Sequence, residues 1–400
     1  MNQNEKTTID ILKEAISEKE VNIDVDIDLN QVIQEMQDQA VLPMGFYILH
    51  KKGLISEAAK PEYERCILNQ VAMWYLMLEA QNQIMQVLVN KGYQVAIMKG
   101  FANAVLYPIP SMRTLGDIDI LVRQEDFEEI FSLLLENGYS MSEESVDGNH
   151  HIKVNKEGVQ FEIHKRPAGT KRYYSKENEQ LIDYFQEGLS HAEIIELEGY
   201  TFPVLDPIRN GLMLLLHTAA HMQSGVGIRH ALDWALFADS YLDDEMWVSN
   251  FREICEKNHV DKLAKILTRI SQQYFGVGEH ITWCISVDAA VCDALMDYMV
   301  SQGDFGRKAG LTDVGVKLIL DSTGKEGVLH RFNKSCQYSM PLIAKYPILK
   351  PIGWLYQVCR YIYKIMKRKY GFKSFIGDLT TSRQRRNLFE TIGIQDWRDD

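Results

Sequence analysis

Apolar residues recur at helical spacing from the start of the chain to about residue 60, in "IDILKEAI" and "LNQVIQEM". The same spacing runs through Tyr63–Tyr93, "YERCILNQVAMWYLMLEAQNQIMQVLVNKGY", which predicts one long amphipathic helix with Gly92 as its cap. The period then changes. "QVAIMKG" is a short apolar run closed by glycine, as a buried strand is. "FANAVLY" starts a helix that "PIPSM" breaks, "DIDILV" alternates as a strand, and "EDFEEIFSLLLENGY" returns to helical spacing with Gly138 at its end. "HHIKVNKEGVQFEIHKR" alternates on both sides of "NKEG", which predicts a hairpin. The order strand–helix–strand–helix–strand–strand predicts an α/β unit.

After Pro207 the alternation stops. "DPIRNGLMLLLHTAAHM", "GIRHALDWALFADSYL", "MWVSNFREICEKN" and "VDKLAKILTRISQQYF" are expected to be successive helices, with helix continuing toward Asp400. The changes of period divide the chain into an N-terminal helical segment (1–62), an α/β domain (63–205) and a helical domain with a basic C-terminal tail (206–400). A length of 400 residues agrees with more than one core.

Apolar residues make up 46% and charged residues 24%, an ordinary globular balance. The net charge of −12 argues against nucleic-acid binding by the whole surface and leaves a local basic patch open. The longest apolar stretches, such as "GLMLLLHTAAHM", are too short for a membrane span and are broken by histidines. The N-terminus has no apolar run following a basic start, so no signal peptide is expected. Six scattered cysteines without a Cys-x-x-Cys pair are expected to be reduced, mostly buried thiols with no disulfide partners and no zinc site, in a cytoplasmic protein.

Two acids interrupt the strand "GDIDILV". Alternation puts Asp117 and Asp119 on one face and Ile118, Ile120 and Val122 on the other. Adjacent carboxylates near a core need compensating charge. Hard divalent cations, Mg²⁺ first, suit oxygen ligands of this kind. Glu162, in the alternating "VQFEIHK", is a candidate third ligand if its strand pairs with the Asp strand. Three acids holding two metals suit phosphoryl or nucleotidyl transfer. One ion activates the attacking hydroxyl and the other stabilises leaving pyrophosphate. By contrast, Asp24, Asp26 and Asp28 in "NIDVDIDLN" lie between helical patterns and are expected to form a solvated loop with a helix cap.

Other side chains collect around the acids. Lys99-Gly100 falls between a strand and a helix, where glycine lets phosphate approach the backbone. Lys99 reads as a phosphate contact or as a strand-end lysine. Arg113 reads as a triphosphate contact or as a partner of Asp117. His164 shares a strand face with Glu162 and either serves the substrate or hydrogen-bonds a carboxylate. His150 and His151 open the hairpin, and His150 is a further candidate for the cleft.

The glycine turn, "GDIDILV" and a later acidic strand resemble the polymerase-beta-like nucleotidyltransferase superfamily. More narrowly, "MKGFANAVLYPIPSMRTLGDIDILVRQEDFEEIFSLLLENGYS" followed by "FEIHKR" resembles a bacterial family of uncharacterised nucleotidyltransferases. Lys99, Gly100, Tyr107, Pro108, Arg113, Gly116, Asp117, Asp119, Glu162 and His164 fit its pattern. The likeness extends more loosely to "LLLHTAAHMQSGVGIRHALDWALF". One departure from the wider superfamily is Phe101, where a serine or glycine usually follows the turn glycine.

The resemblance implies an α/β (α+β) nucleotidyltransferase core with a mixed sheet. It implies transfer of a nucleoside monophosphate from an NTP to a hydroxyl or amine acceptor, a small molecule first, with Mg²⁺ or Mn²⁺ as cofactor. Asp117 and Asp119 would hold the metals, and Glu162 would complete the second site or act as general base. Lys99, Gly100, Arg113, Gly116, His150 and His164 would line the nucleotide and substrate site. Two alternatives stay open: a catalytically silent nucleotide-binding or partner-binding module on the same fold, and a metal-dependent phosphohydrolase.

His217 and His221 stand at i and i+4 in "HTAAH" and either share a metal or pack at an interface. Arg229 and Asp233 are also i and i+4, which predicts a helix salt bridge or a role in closing the cleft. The basic, aromatic stretch from Pro341 to Arg386 suits RNA, an anionic membrane surface, or the acidic N-terminal helices of the same chain.

Overall fold

A mixed sheet of seven strands, in the order β3-β4-β5-β2-β1-β7-β6, organises the first part of the computed structural model. Its strands are β1 (Val95–Met98), β2 (Ile118–Val122), β3 (Ser140–Met141), β4 (His151–Lys156), β5 (Val159–His164), β6 (Glu193–Leu197) and β7 (Tyr200–Val204). The structure describes residues 1–23, 27–141, 151–167, 176–222, 225–308, 336, 350–356, 359 and 387–394. The chain divides into two compact units, Met1–Lys308 and Ala309–Asp400. Only short helical stretches of the second unit fall among the described residues, and nearly all of the basic segment between Pro341 and Arg386 lies outside them.

The central strands follow from their composition. β1 and β2 are buried along their whole length, as continuous apolar runs require. β2 runs antiparallel to β1 and parallel to β5. Ile118, Ile120 and Val122 join Phe161 and Ile163 of β5 in one core. Trp74, Leu78, Ile84 and Leu88 of the long helix α4 (Lys60–Asn90) complete that core. The alternate positions of β2 and β5 therefore point to the opposite face. Gly92 follows α4 at φ +86°, a left-handed turn that glycine adopts without strain.

The hairpin β4–β5 closes on Glu157-Gly158, both at positive φ, the two-residue turn whose twist matches antiparallel strands. The helix expected after β2 forms as α6 (Phe127–Glu136), whereas α7 (Lys176–Gly188) and a second hairpin, β6–β7, stand where the apolar period predicts no element. That hairpin uses the same device, Glu198-Gly199 at φ +50° and +82°. The Glu-Gly pair between "EIIEL" and "YTFPV" is the sequence signal for it.

From Pro207 to Gln302 the elements among the described residues are helical, as their period predicts: α8 (Pro207–His221), α9 (Ile228–Tyr241), the short α10 (Asp244–Met246) and α11 (Arg252–Lys257), α12 (Asp261–Ile270) and α13 (Ala289–Gln302). The N-terminal helices α1 (Gln3–Ser17), α2 (Leu29–Asp38) and α3 (Leu42–Lys51) fold back onto this part. Gln39 donates to the Val300 carbonyl at 2.9 Å, and Lys308 reaches Glu5 and Glu35, each at 2.7 Å. Asp28 caps α2 by accepting from the Gln31 amide, while Asp24 and Asp26 lie outside the described residues.

The six cysteines are free thiols, four buried and two exposed. Among the described residues, no helix is long and apolar enough to cross a membrane.

Candidate functional site

Strand register assembles the site. Asp119 of β2 sits between Met98 of β1 and Glu162 of β5, and Glu162 faces Lys153 of β4. His151 lies opposite His164 in the hairpin. These side chains share the sheet face that α4 leaves free. Lys99 extends the row. It takes φ +51°, a conformation that a β-carbon disfavours, at the point where β1 turns into the short helix α5 (Gly100–Ala104).

The protein itself supplies cations to two of the three acids. Lys99 Nζ lies 2.7 Å from Asp119 Oδ1. His164 Nε2 lies 2.9 Å from the same oxygen and 3.3 Å from Glu162 Oε2. Lys153 Nζ lies 2.8 Å from Glu162 Oε1. Burial alone would raise the pKa of Asp119, but Lys99 and His164 outweigh it and hold the carboxyl below its ordinary value. Burial acts likewise on Glu162, and the hydrogen bonds of His164 and Lys153 hold that carboxyl well below the carboxylate range. The two carboxylates reverse the effect of burial on His164 and raise its pKa.

Asp117 is the exception. It makes no hydrogen bond or ion pair among the described residues. Burial, then the charges of Asp119 and Glu162, push it up to about 6. Of the three acids, Asp117 is the one without a cation in contact among the described residues, and Lys99 and Lys153 only partly offset the rise.

Asp117 and Asp119 open onto a cavity of about 150 Å³, as do Lys99, Gly100, Arg113 and Gly116. Its other side comes from Leu214, His217 and Thr218 of α8 and Arg229, His230 and Asp233 of α9. Neither glycine is needed for packing. A β-carbon at Gly116 would meet nothing within 4 Å, and one at Gly100 would make only ordinary contacts at 3.8 Å. Gly116 leaves open space beside the acids. Glu162 and His164 stand behind Asp119 rather than on the cavity wall. Among the described residues, the three donors within 4.8 Å of one another are those of His151, Glu162 and His164. His150 lies outside the described residues.

Arg113 does not pair with Asp117. Its Nε and Nη2 form a buried two-point bond to Asp233 on α9, at 2.8 and 2.7 Å, and Tyr107 donates to Asp233 Oδ1 at 2.7 Å. The i, i+4 bridge between Arg229 and Asp233 is accordingly not formed. Asp233 is already taken, and Arg229 Nη2 reaches Asp304 at 3.2 Å instead. A planar guanidinium fork on a carboxylate outcompetes a single helix-face contact.

His217 and His221 pack ring to ring, with centroids 4.3 Å apart, and His230 of α9 stacks on His217 at 5.5 Å. Burial lowers the pKa of all three, to about 3 for His221 and His230, so they are neutral at pH 7. Sequence reasoning does not reach Lys153 or His230. Counting back from the Glu157-Gly158 turn puts Lys153 opposite Glu162, and that count is the available signal for it.

A protein-family model described as "Uncharacterised nucleotidyltransferase" matches residues 26–276, from the start of α2 past the end of α12. No curated protein matches the chain.

Proposed function

The chain belongs to the family of uncharacterised nucleotidyltransferases, and on that premise we propose that it moves a nucleoside monophosphate from an NTP to a hydroxyl or amine of a small molecule, with Mg²⁺ as the first choice of metal. The observation that carries this reading is Asp117. It is a largely buried carboxyl with no hydrogen bond or ion pair among the described residues, raised to about 6 beside two other acids and open to a cavity. A hard cation bound there would relieve that charge, and carboxylate oxygens are the ligands such a cation prefers.

Asp117 and Asp119 would hold the metal, with Glu162 as the neighbouring carboxylate. The metal would supply charge neutralisation at the α-phosphate and a lowered pKa for the attacking group. Lys99 bonds Asp119 directly and stands at the mouth of the turn, so with a cation held by the acids its ammonium would be available to phosphate. Phe101 is buried against Trp74, 5.1 Å between ring centroids. With Phe101 turned into the core, the turn would meet phosphate through its backbone rather than through a side-chain hydroxyl. Free and mostly buried thiols support a reducing compartment, the cytoplasm.

The test is pyrophosphate release from each NTP with Mg²⁺ and a panel of hydroxyl and amine acceptors. Release that depends on an acceptor and on Asp117 supports the transferase. Nucleotide binding without turnover would favour a silent module, and acceptor-independent phosphate release a phosphohydrolase.

A further inference from the structure

The cavity wall built by Arg113 and α9 carries hydrogen-bonding groups that nothing among the described residues satisfies. Arg113 Nη1, Arg229 Nε and both ring nitrogens of His230 are buried without a hydrogen-bond partner among the described residues. Arg113 and His230 are almost wholly buried, with side chains only 3% and 5% exposed. The remaining guanidinium nitrogens are committed. Arg113 holds Asp233, and Arg229 holds Asp304 and, at 3.4 Å, the Thr114 carbonyl. The Asp304 carboxylate stands 3.7 Å from His230 Nδ1, beyond hydrogen-bond reach.

An unpaired buried donor costs about 1–3 kcal/mol, and more when charged, so such donors call for an acceptor-rich occupant. Two guanidinium edges and an imidazole N–H suit a carboxylate or phosphate. The volume limits the occupant. About 150 Å³ is half the smallest common ligand pocket of about 300 Å³, so the space at this wall takes one small group, while the bulk of a nucleotide held at Lys99 and the acids would lie outside it. Charge limits it further. Each arginine is already neutralised by its own aspartate, so the wall offers directed N–H groups with little net positive charge. A triphosphate, with several negative charges, is better served by Lys99 and a cation on the acids.

We infer that Arg113, Arg229 and His230 form a subsite for one anionic group of the acceptor, a phosphate or a carboxylate, and hence that the acceptor is an acidic small molecule. The group would lie across the cavity from Asp117 and Asp119, which sets the acceptor's nucleophile toward the acids. The acceptor's role rests on the transferase reading, whereas anion binding needs neither metal nor nucleotide, so the two fail separately.

The experiment titrates the full chain with inorganic phosphate and with acetate by calorimetry, without metal, and then repeats both titrations with saturating Mg²⁺ and a non-hydrolysable NTP. Arg229→Met removes the guanidinium, and Arg229→Lys keeps the charge but loses Nε. Thermal midpoints identify the folded variants. The expected result is that one anion binds the wild type, that binding weakens at least about tenfold in each folded variant, and that the nucleotide leaves it unchanged. Displacement of the anion by the nucleotide would assign the wall to the nucleotide's own phosphates and overturn the inference. Absence of anion binding to the wild type, or equal binding by wild type and Arg229→Lys, would also overturn it.

Discussion

His164 Nε2 lies 2.9 Å from Asp119 Oδ1 and 3.3 Å from Glu162 Oε2, so one imidazole bridges the carboxylates that β2 and β5 set side by side. The two acids raise its pKa, and it in turn lowers theirs. Replacement by alanine leaves Asp119 to Lys99, and Glu162 to Lys153 and, at 3.8 Å, His151. His164→Ala is expected to lose about 1–3 kcal/mol of stability at pH 7 in urea unfolding, as a buried hydrogen-bonding group loses its partner. His164→Gln, which keeps a donor, is expected to lose less. Equal midpoints and slopes for all three proteins would contradict the bridge.

Asp233 joins the α/β part to α9. It accepts two bonds from Arg113 and one from Tyr107, all buried. Asp233→Ala strands a buried guanidinium and is expected to cost about 3–5 kcal/mol. Tyr107→Phe removes one hydrogen bond and is expected to cost about 1 kcal/mol. In the Asp233→Ala background, Tyr107→Phe should cost almost nothing, because its acceptor is gone. Additive losses in this cycle would show that the hydroxyl and the carboxylate act independently.

The histidine cluster makes the fold acid-sensitive. His221 and His230 have folded pKa values near 3, against 6.5 when exposed. Between those values the unfolded chain binds more protons than the folded one, so stability falls as pH drops below about 6.5. The slope per histidine is up to about 1.4 kcal/mol per pH unit. The stability difference between wild type and His230→Gln should therefore shift against the wild type as the pH is lowered from 7 to 5. A difference constant over that range would mean that His230 titrates alike in both states.

The parts of this site that were legible in the sequence are those set by local period. Alternation in "GDIDILV" put Asp119 on the face opposite Ile118 and Ile120, and alternation in "VQFEIHK" did the same for Glu162 and His164. What sequence could not supply was competition between distant groups. Arg113 and Asp233 are 120 positions apart, and their pairing dissolves the local expectation for Arg229. The charge on the acids is a similar case. Spacing alone pointed to a metal as the compensating charge, whereas Lys99, Lys153 and His164 balance much of it from three different strands and turns. Asp117 is left without a cation in contact among the described residues, and only the assembled sheet reveals that. The second hairpin was marked by its Glu-Gly turn, but its outer strand is largely exposed and lacks the apolar alternation that flagged the first.

The most direct measurement is a calorimetric titration with a non-hydrolysable NTP, with and without Mg²⁺, for the wild type and Asp117→Asn/Asp119→Asn. If Asp117 and Asp119 form a cation site that receives the nucleotide, wild-type affinity rises at least about tenfold with Mg²⁺ and the double variant shows no such rise. Equal affinity in all four titrations would contradict the account.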